Sequence, residues 1–189
     1  MLNTARAFFR QRGVLEVETP ILSAAAVSDP HIESLATQIA GTFKPFYLCP
    51  SPEYAMKRLL AAGSGDIFQI SRVFRDGERG RWHNPEFTMI EWYRLGFDDT
   101  ALMSEVEMLV GQLLAPVRTL PPAERLSYAA AFARHADVDV FGATDEELLE
   151  AAAGKGISRE ADLDRDAKLD LLMGLIVGPQ LGRPAPCFI

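Results

Sequence analysis

Two strand-forming runs, residues 66–75 and 87–94, flank eleven polar residues, DGERGRWHNPE, and this arrangement constrains the fold more than any other part of the chain. Apolar alternation on both sides of a loop rich in Gly and turn formers predicts a long antiparallel hairpin. In the first run Phe68, Ile70 and Phe74 share one face, while Gln69, Ser71 and Arg75 share the other, because side chains alternate along a strand. The first face is expected in the core and the second is polar. The second run places Phe87, Met89, Glu91 and Tyr93 together. With residue 75 pairing near residue 87, the odd-numbered residues of both strands lie on one surface. Arg75, Ser71, Glu91 and Tyr93 then share it.

A solvent-facing sheet with ordinary ion pairs is one account of such a face. The loop argues for chemistry, because it concentrates Glu78, Arg79, Arg81, His83, Asn84 and Glu86 beside it. The planar fork of Arg75 at the end of a strand suits a phosphate. Arg81 and His83 add positive charge, and Phe87 offers a stacking surface to an aromatic base. Glu91 and Tyr93 suit a cationic or amino-bearing substrate. Such an assembly fits phosphoryl or nucleotidyl chemistry, where positioning and charge neutralisation dominate.

The rest of the chain reads as a framework for that hairpin. Leu2, Ala5, Phe8 and Phe9 recur at helical spacing and predict a helix over residues 2–12, with Gly13 as its stop. A short strand follows over residues 14–19, ended by Pro20. Residues 21–34 read as loop, and residues 35–40 and 45–49 as short strands. Ser51-Pro52-Glu53 is a helix start in which Ser51 caps, Pro52 takes the first helical position and Glu53 favours the positive end. That helix runs to Gly63. Leu102, Val106, Leu109 and Leu113 form the core stripe of a helix over residues 99–114. A linker over residues 116–122 leads to helices over 127–136, 145–153 and 165–177. Thr144 with Glu147 has the spacing of a capping box, and residues 184–189 read as the entry to a strand.

Composition sets limits. A chain of 189 residues can bury a sizeable core without disulfide or metal staples. With 19 basic and 26 acidic residues the net charge is −7, which argues against gripping nucleic acid with the whole surface. Cys49 and Cys187 lie far apart and read as free thiols, and His31, His83 and His135 lack metal-ligand spacing. No apolar run approaches the ~18 residues that span a membrane, and the first residues do not form a signal peptide. The expected compartment is the cytoplasm.

The motif sequences resemble those of a known family. FFRQRGVLEVETPIL is similar to motif 1 of class II aminoacyl-tRNA synthetases, and FQISRVFRDGERGRWHNPEFTMIEWYR to motif 2. HNPEFTMIEWY and SPEYAMKRLL resemble the lysyl subgroup. Within it, the chain most resembles the lysyl-tRNA synthetase-like ligases that act on a lysine of translation elongation factor P. The resemblance implies an α+β fold, a class II antiparallel sheet flanked by helices. Residues 1–189 are then one partial catalytic domain, with motif 1 at about 2–20, motif 2 at about 67–94 and a helical insertion at about 123–178.

The activity implied is ATP-dependent activation of a lysine-type amino acid, (R)-β-lysine, as its adenylate, followed by transfer to a lysine side chain of elongation factor P. By the same resemblance Arg75 is the catalytic residue at the α-phosphate. Asp76, Gly77, Glu78, His83, Asn84 and Phe87 complete the ATP site, with Phe87 on the adenine. Ser51, Pro52, Glu53, Glu91 and Tyr93 line the amino-acid pocket. Mg2+ is expected for the family, with ligands outside this chain. Homodimerisation through motif 1 is implied, with no anticodon-binding domain and no membrane association.

Two departures stand out. The Arg-x-Glu expected after the motif 2 arginine is here Arg75-Asp76-Gly77-Glu78, with Glu one place later. No Gly-rich segment followed by arginine comes after residue 120, so motif 3 is missing and the 189 residues are expected to bind nucleotide weakly. A fragment of a lysyl-tRNA synthetase, or a catalytically inactive relative, are the rival readings.

Overall fold

The computed structural model describes residues 1–153 and 163–189, and the chain divides into two compact units, Met1–Leu102 and Met103–Ile189. The first unit carries every residue of the candidate site.

Helix α1 (Leu2–Arg10) buries Ala5, Phe8 and Phe9, the stripe expected from i, i+3, i+4 spacing. It ends where Gly13 takes φ 71°, a left-handed conformation that costs glycine least. The Val14 amide then bonds back to the Phe9 carbonyl at 3.0 Å and turns the chain into strand β1 (Leu15–Glu16). Three further short strands, β2 (Leu22–Ser23), β3 (Ala36–Thr37) and β4 (Phe46–Leu48), form an antiparallel sheet in the order β2-β4-β3. Helix α2 (Glu53–Ala61) follows and stops before Gly63, at φ 86°. The hairpin is β5 (Ile67–Phe74) and β6 (Glu86–Tyr93), antiparallel over eight residue pairs from Ile67↔Tyr93 to Phe74↔Glu86.

The hairpin register unites the odd-numbered residues as expected, although residue 75 faces 85, its amide bonding the Pro85 carbonyl at 3.0 Å. Two expectations need correction. The sheet is not purely antiparallel, because β1 runs parallel to β5 with Leu15 opposite Ile67. Nor is the odd-numbered face of β5 solvent-facing. Ile67, Gln69 and Val73 on it are 0%, 2% and 1% exposed, whereas Arg72 on the supposed core face is exposed. The chain at Pro50 and Ser51 reaches this face at Arg75 and Glu91, and the Phe74 amide donates to the Cys49 carbonyl at 3.1 Å at the edge of β5.

The even face does meet the core where α1 lies on it. Phe9 stacks on Phe68 with centroids 4.6 Å apart and tilts against Trp92 at 5.3 Å. Residues 21–34 are not wholly loop, since β2 lies within them.

Helix α3 (Asp99–Leu114) has the expected bounds, but its buried positions are Glu105 and Leu109, and Leu102 is exposed. In the second unit, β7 (Glu124–Arg125) had no sequence signal. It pairs in parallel with β8 (Cys187–Phe188), the strand expected near the end. Helix α4 (Tyr128–Ala136) is capped by Ser127, and α5 (Asp145–Ala153) by the expected box. The Glu147 carboxylate accepts the Thr144 amide at 2.7 Å, while the Thr144 hydroxyl accepts the Glu147 amide at 3.3 Å. Helix α6 (Arg165–Leu172) is shorter than expected, because residues 173–177 widen into a π-helical turn and 178–180 tighten into a 3-10 turn around Pro179. Phe132, Leu148, Leu172 and Val177, all fully buried, centre this unit's core.

Candidate active site

The site is built on the odd-numbered face of the hairpin and on the chain that crosses it. Glu91, near the middle of that face, is its hub. Its two carboxylate oxygens accept hydroxyl donors from opposite sides, Ser51 Oγ at 2.7 Å and Tyr93 OH at 2.6 Å. Both distances are those of bonds to a charged acceptor. Tyr93 stands two residues away on the same strand face, so period-two geometry delivers it. Ser51 arrives from forty residues away, at the start of α2. Its hydroxyl also accepts the Glu53 amide at 3.1 Å. Ser51 therefore orders the entry to α2, while Pro52, expected at the first helical position, is the cap residue itself.

Burial, and then the bond to Glu91, push the Tyr93 phenol well above its ordinary value. A neutral phenol beside a carboxylate keeps its proton and goes on donating. The Cys49 thiol, which lines the neighbouring cavity, is also pushed up by burial, which favours an inert thiol.

Arg75 leaves the end of β5 where the loop begins. Its Nε donates to the Pro50 carbonyl at 3.4 Å, its Nη1 pairs with Glu78 at 3.4 Å, and its guanidinium carbon stands 5.2 Å from the Phe87 ring centroid. The guanidinium is thus held between the chain leading to Ser51 and the Phe87 ring near the start of β6. Glu78, displaced one place from the usual pattern, still reaches the arginine. Gly77 takes φ 75° and its amide bonds the Asp76 carboxylate at 2.8 Å. The Asp76 amide donates to the Glu33 carbonyl at 2.9 Å.

The expected residues do not all converge. His83 and Asn84 are exposed, and among the described residues their side chains make no hydrogen bond. Residues 80–83 form a tight turn through the Gly80 amide and the His83 carbonyl at 3.1 Å. The Glu53 carboxylate is paired with Lys57 one helical turn on, and that bond holds the lysine's pKa up. An incoming amine would have to compete with Lys57.

Two cavities meet at residues 51–54. One, of about 410 Å³, is lined by Leu22, Val27, Tyr47, Cys49 and the start of α2. The other, of about 460 Å³, lies under residues 27–32. Sequence reasoning missed the carbonyls of Pro50 and Glu33, and it missed the bond of 2.6 Å between Tyr54 OH and Ser28 Oγ. Backbone acceptors carry no sequence signature, and the spacing of Ser28 and Tyr54 has no period that would reveal a pair.

Among the described residues, no three His, Cys, Asp or Glu side chains gather as a metal site. No helix there is long and apolar enough to cross a membrane.

Comparison with known proteins identifies the family. Residues 1–168 match the family model of the class II tRNA synthetases (D, K and N). An elongation factor P–(R)-β-lysine ligase of Yersinia enterocolitica is 50% identical over 190 residues, covering 97% of this chain and 57% of that protein. The protein of the same name from Salmonella arizonae is 48% identical over 195 residues, covering 100% of this chain and 59% of its own length. That from Haemophilus influenzae is 48% identical over 185 residues, covering 96% and 56%. The chain therefore spans less than two thirds of these curated relatives. With a matched model over most of its length, the chain belongs to the class II tRNA synthetase family of the D, K and N type.

Proposed function

We propose that the chain is part of an ATP-dependent, AMP-forming ligase that activates a lysine-type amino acid, (R)-β-lysine, and transfers it to a lysine of translation elongation factor P. The observation that carries this is the adjacency of two unlike subsites. A carboxylate held by two hydroxyls, Glu91 with Ser51 and Tyr93, suits an ammonium group. A guanidinium braced on the Pro50 carbonyl beside it, Arg75, suits a phosphate. The names of the relatives support the substrate pair.

In this mechanism the amino-acid carboxylate oxygen attacks the α-phosphorus of ATP and pyrophosphate leaves. Arg75 neutralises charge on the pentacoordinate phosphoryl group, a preorganised electrostatic contribution. Phe87 supports the adenine, and Asp76, Gly77 and Glu78 bound the nucleotide side. His83 and Asn84 reach the phosphates by movement of the loop. Ser51, Pro52, Glu53, Glu91 and Tyr93 hold the amino acid. The ε-amine of the acceptor lysine then attacks the acyl carbonyl. An amide forms, AMP leaves, and the amine gives up a proton. The family implies Mg2+; among the described residues no three His, Cys, Asp or Glu side chains gather to hold it.

A homodimer through the motif 1 region is part of the proposal. Three buried oxygens without partners, Thr19 Oγ1, Gln69 Oε1 and Ser71 Oγ, lie along one cavity on that edge. Arg6, Glu16 and Arg72 line the same cavity. Buried polar atoms of this kind require hydrogen-bond partners.

The test is ATP–pyrophosphate exchange with (R)-β-lysine, α-lysine and no amino acid, followed by the mass of elongation factor P. Exchange that depends on (R)-β-lysine, with a factor heavier by one β-lysyl group, is expected. Charging of tRNA with the factor unmodified would make the chain a piece of a lysyl-tRNA synthetase. Absence of exchange in the full-length gene product would favour an inactive relative.

A further inference from the structure

The segment between β2 and β3, residues 24–35, contains neither helix nor strand, yet it is tied down at both ends of the candidate site. The Val27 amide donates to Ser34 Oγ at 3.2 Å and closes the segment on itself. Ser28 Oγ and Tyr54 OH share a hydrogen bond of 2.6 Å, on the amino-acid side. The Glu33 carbonyl accepts the Asp76 amide at 2.9 Å, on the nucleotide side. The segment roofs the cavity whose other wall is Pro50, Ser51, Glu53 and Tyr54.

Tyr54 is the residue in this arrangement that packing does not explain. It is 55% exposed in the first turn of α2, so its ring gains little from burial, and its hydroxyl makes the contact across the cavity. We propose that Tyr54 is a positioning residue. Through Ser28 it holds residues 27–34 over Ser51 and Glu53, so that the amino-acid cavity is closed by a strap whose far end is fixed to the first amide of the nucleotide loop. A strap pinned at two subsites also couples them, because freeing one end loosens the other. The inference rests on the assignment of Ser51 and Glu53 to the amino-acid site.

The test uses the full-length gene product with Tyr54→Phe, Ser28→Ala and the double variant. Tyr54→Phe keeps the ring and removes only the hydroxyl. Hydrogen exchange should quicken at residues 27–34 and at the Asp76 amide in both single variants, and no further in the double, because both remove one bond. In pyrophosphate exchange the KM for (R)-β-lysine should rise about two- to tenfold, the effect of one neutral hydrogen bond, with kcat close to wild type. Unchanged hydrogen exchange in Tyr54→Phe overturns the strap, as do additive effects of the two substitutions. A wild-type protein that shows no lysine-dependent exchange of pyrophosphate overturns the amino-acid assignment, and with it the substrate role of the strap.

Discussion

Replacing Tyr93 with Phe should destabilise the first unit by about 1–1.5 kcal/mol. The bond removed runs to an ionised carboxylate at 2.6 Å, a class worth about 1.5–3 kcal/mol. Glu91 is only partly buried, so water can solvate its freed oxygen, and the effect falls at or just below the bottom of that range. The ring and its packing on the strand face are retained, so no cavity term is added. Both tryptophans, Trp82 and Trp92, lie in the first unit, and Trp92 precedes Tyr93 on β6. Tryptophan emission during urea unfolding therefore reports this unit alone. With a urea dependence of about 2 kcal/mol per molar, the midpoint should fall by about 0.5–0.75 M.

Alkaline pH supplies a second reading of the same bond. The folded phenol titrates above its unfolded value. Its contribution is complete below about pH 10, where the unfolded phenol is still protonated, and is lost as pH rises from there toward the folded value. Tyr93→Phe should remove that part of the alkaline decline. Ser51→Ala combined with Tyr93→Phe should deviate from additivity, since both hydroxyls serve one carboxylate. An unchanged midpoint together with an unchanged alkaline slope would refute the claim that Glu91 is held by both hydroxyls.

Phe9→Ala, which removes a fully buried ring stacked on Phe68, should cost about 3–5 kcal/mol in the same urea experiment, while Phe9→Leu should cost distinctly less. In the second unit, the hydrogen bond from Lys168, aided by Arg165, holds the Asp145 carboxyl below its ordinary value. The stabilisation is present above the unfolded carboxylate value and is lost as pH falls through the folded one. Asp145→Asn should therefore flatten the acid limb of stability followed by circular dichroism, and an unaltered limb would mean the clamp contributes nothing.

Where structure is local, the sequence was sufficient. Alternation around one loop puts the odd-numbered residues of both strands on one face, although the pairing itself lies two residues from the one expected, and the stops at Gly13 and Gly63 follow from residues that tolerate positive φ. The box of Thr144 and Glu147 needs only three residues of spacing. What escaped depends on the chain's return from afar. Gln69 alternates as a solvent-facing residue should, yet it is buried, beside Val17 and Thr19 from the chain around β1. The contacts that brace Arg75 and Asp76 are backbone carbonyls, available at any residue. Two-residue strands such as β2 and β7 are too short to show a period. Glu91 and Tyr93 were legible as neighbours on one face, whereas their joint engagement with Ser51 required the tertiary fold.

Arg75 is proposed to activate a lysine-type amino acid held by Glu91. The most direct test is (R)-β-lysine-dependent ATP–pyrophosphate exchange by the full-length gene product, with and without Arg75→Ala. Exchange should require the amino acid and vanish in the variant while the urea midpoint stays within about 0.5 M of wild type. Exchange that persists in Arg75→Ala, or that proceeds equally well without a lysine-type amino acid, would contradict that role.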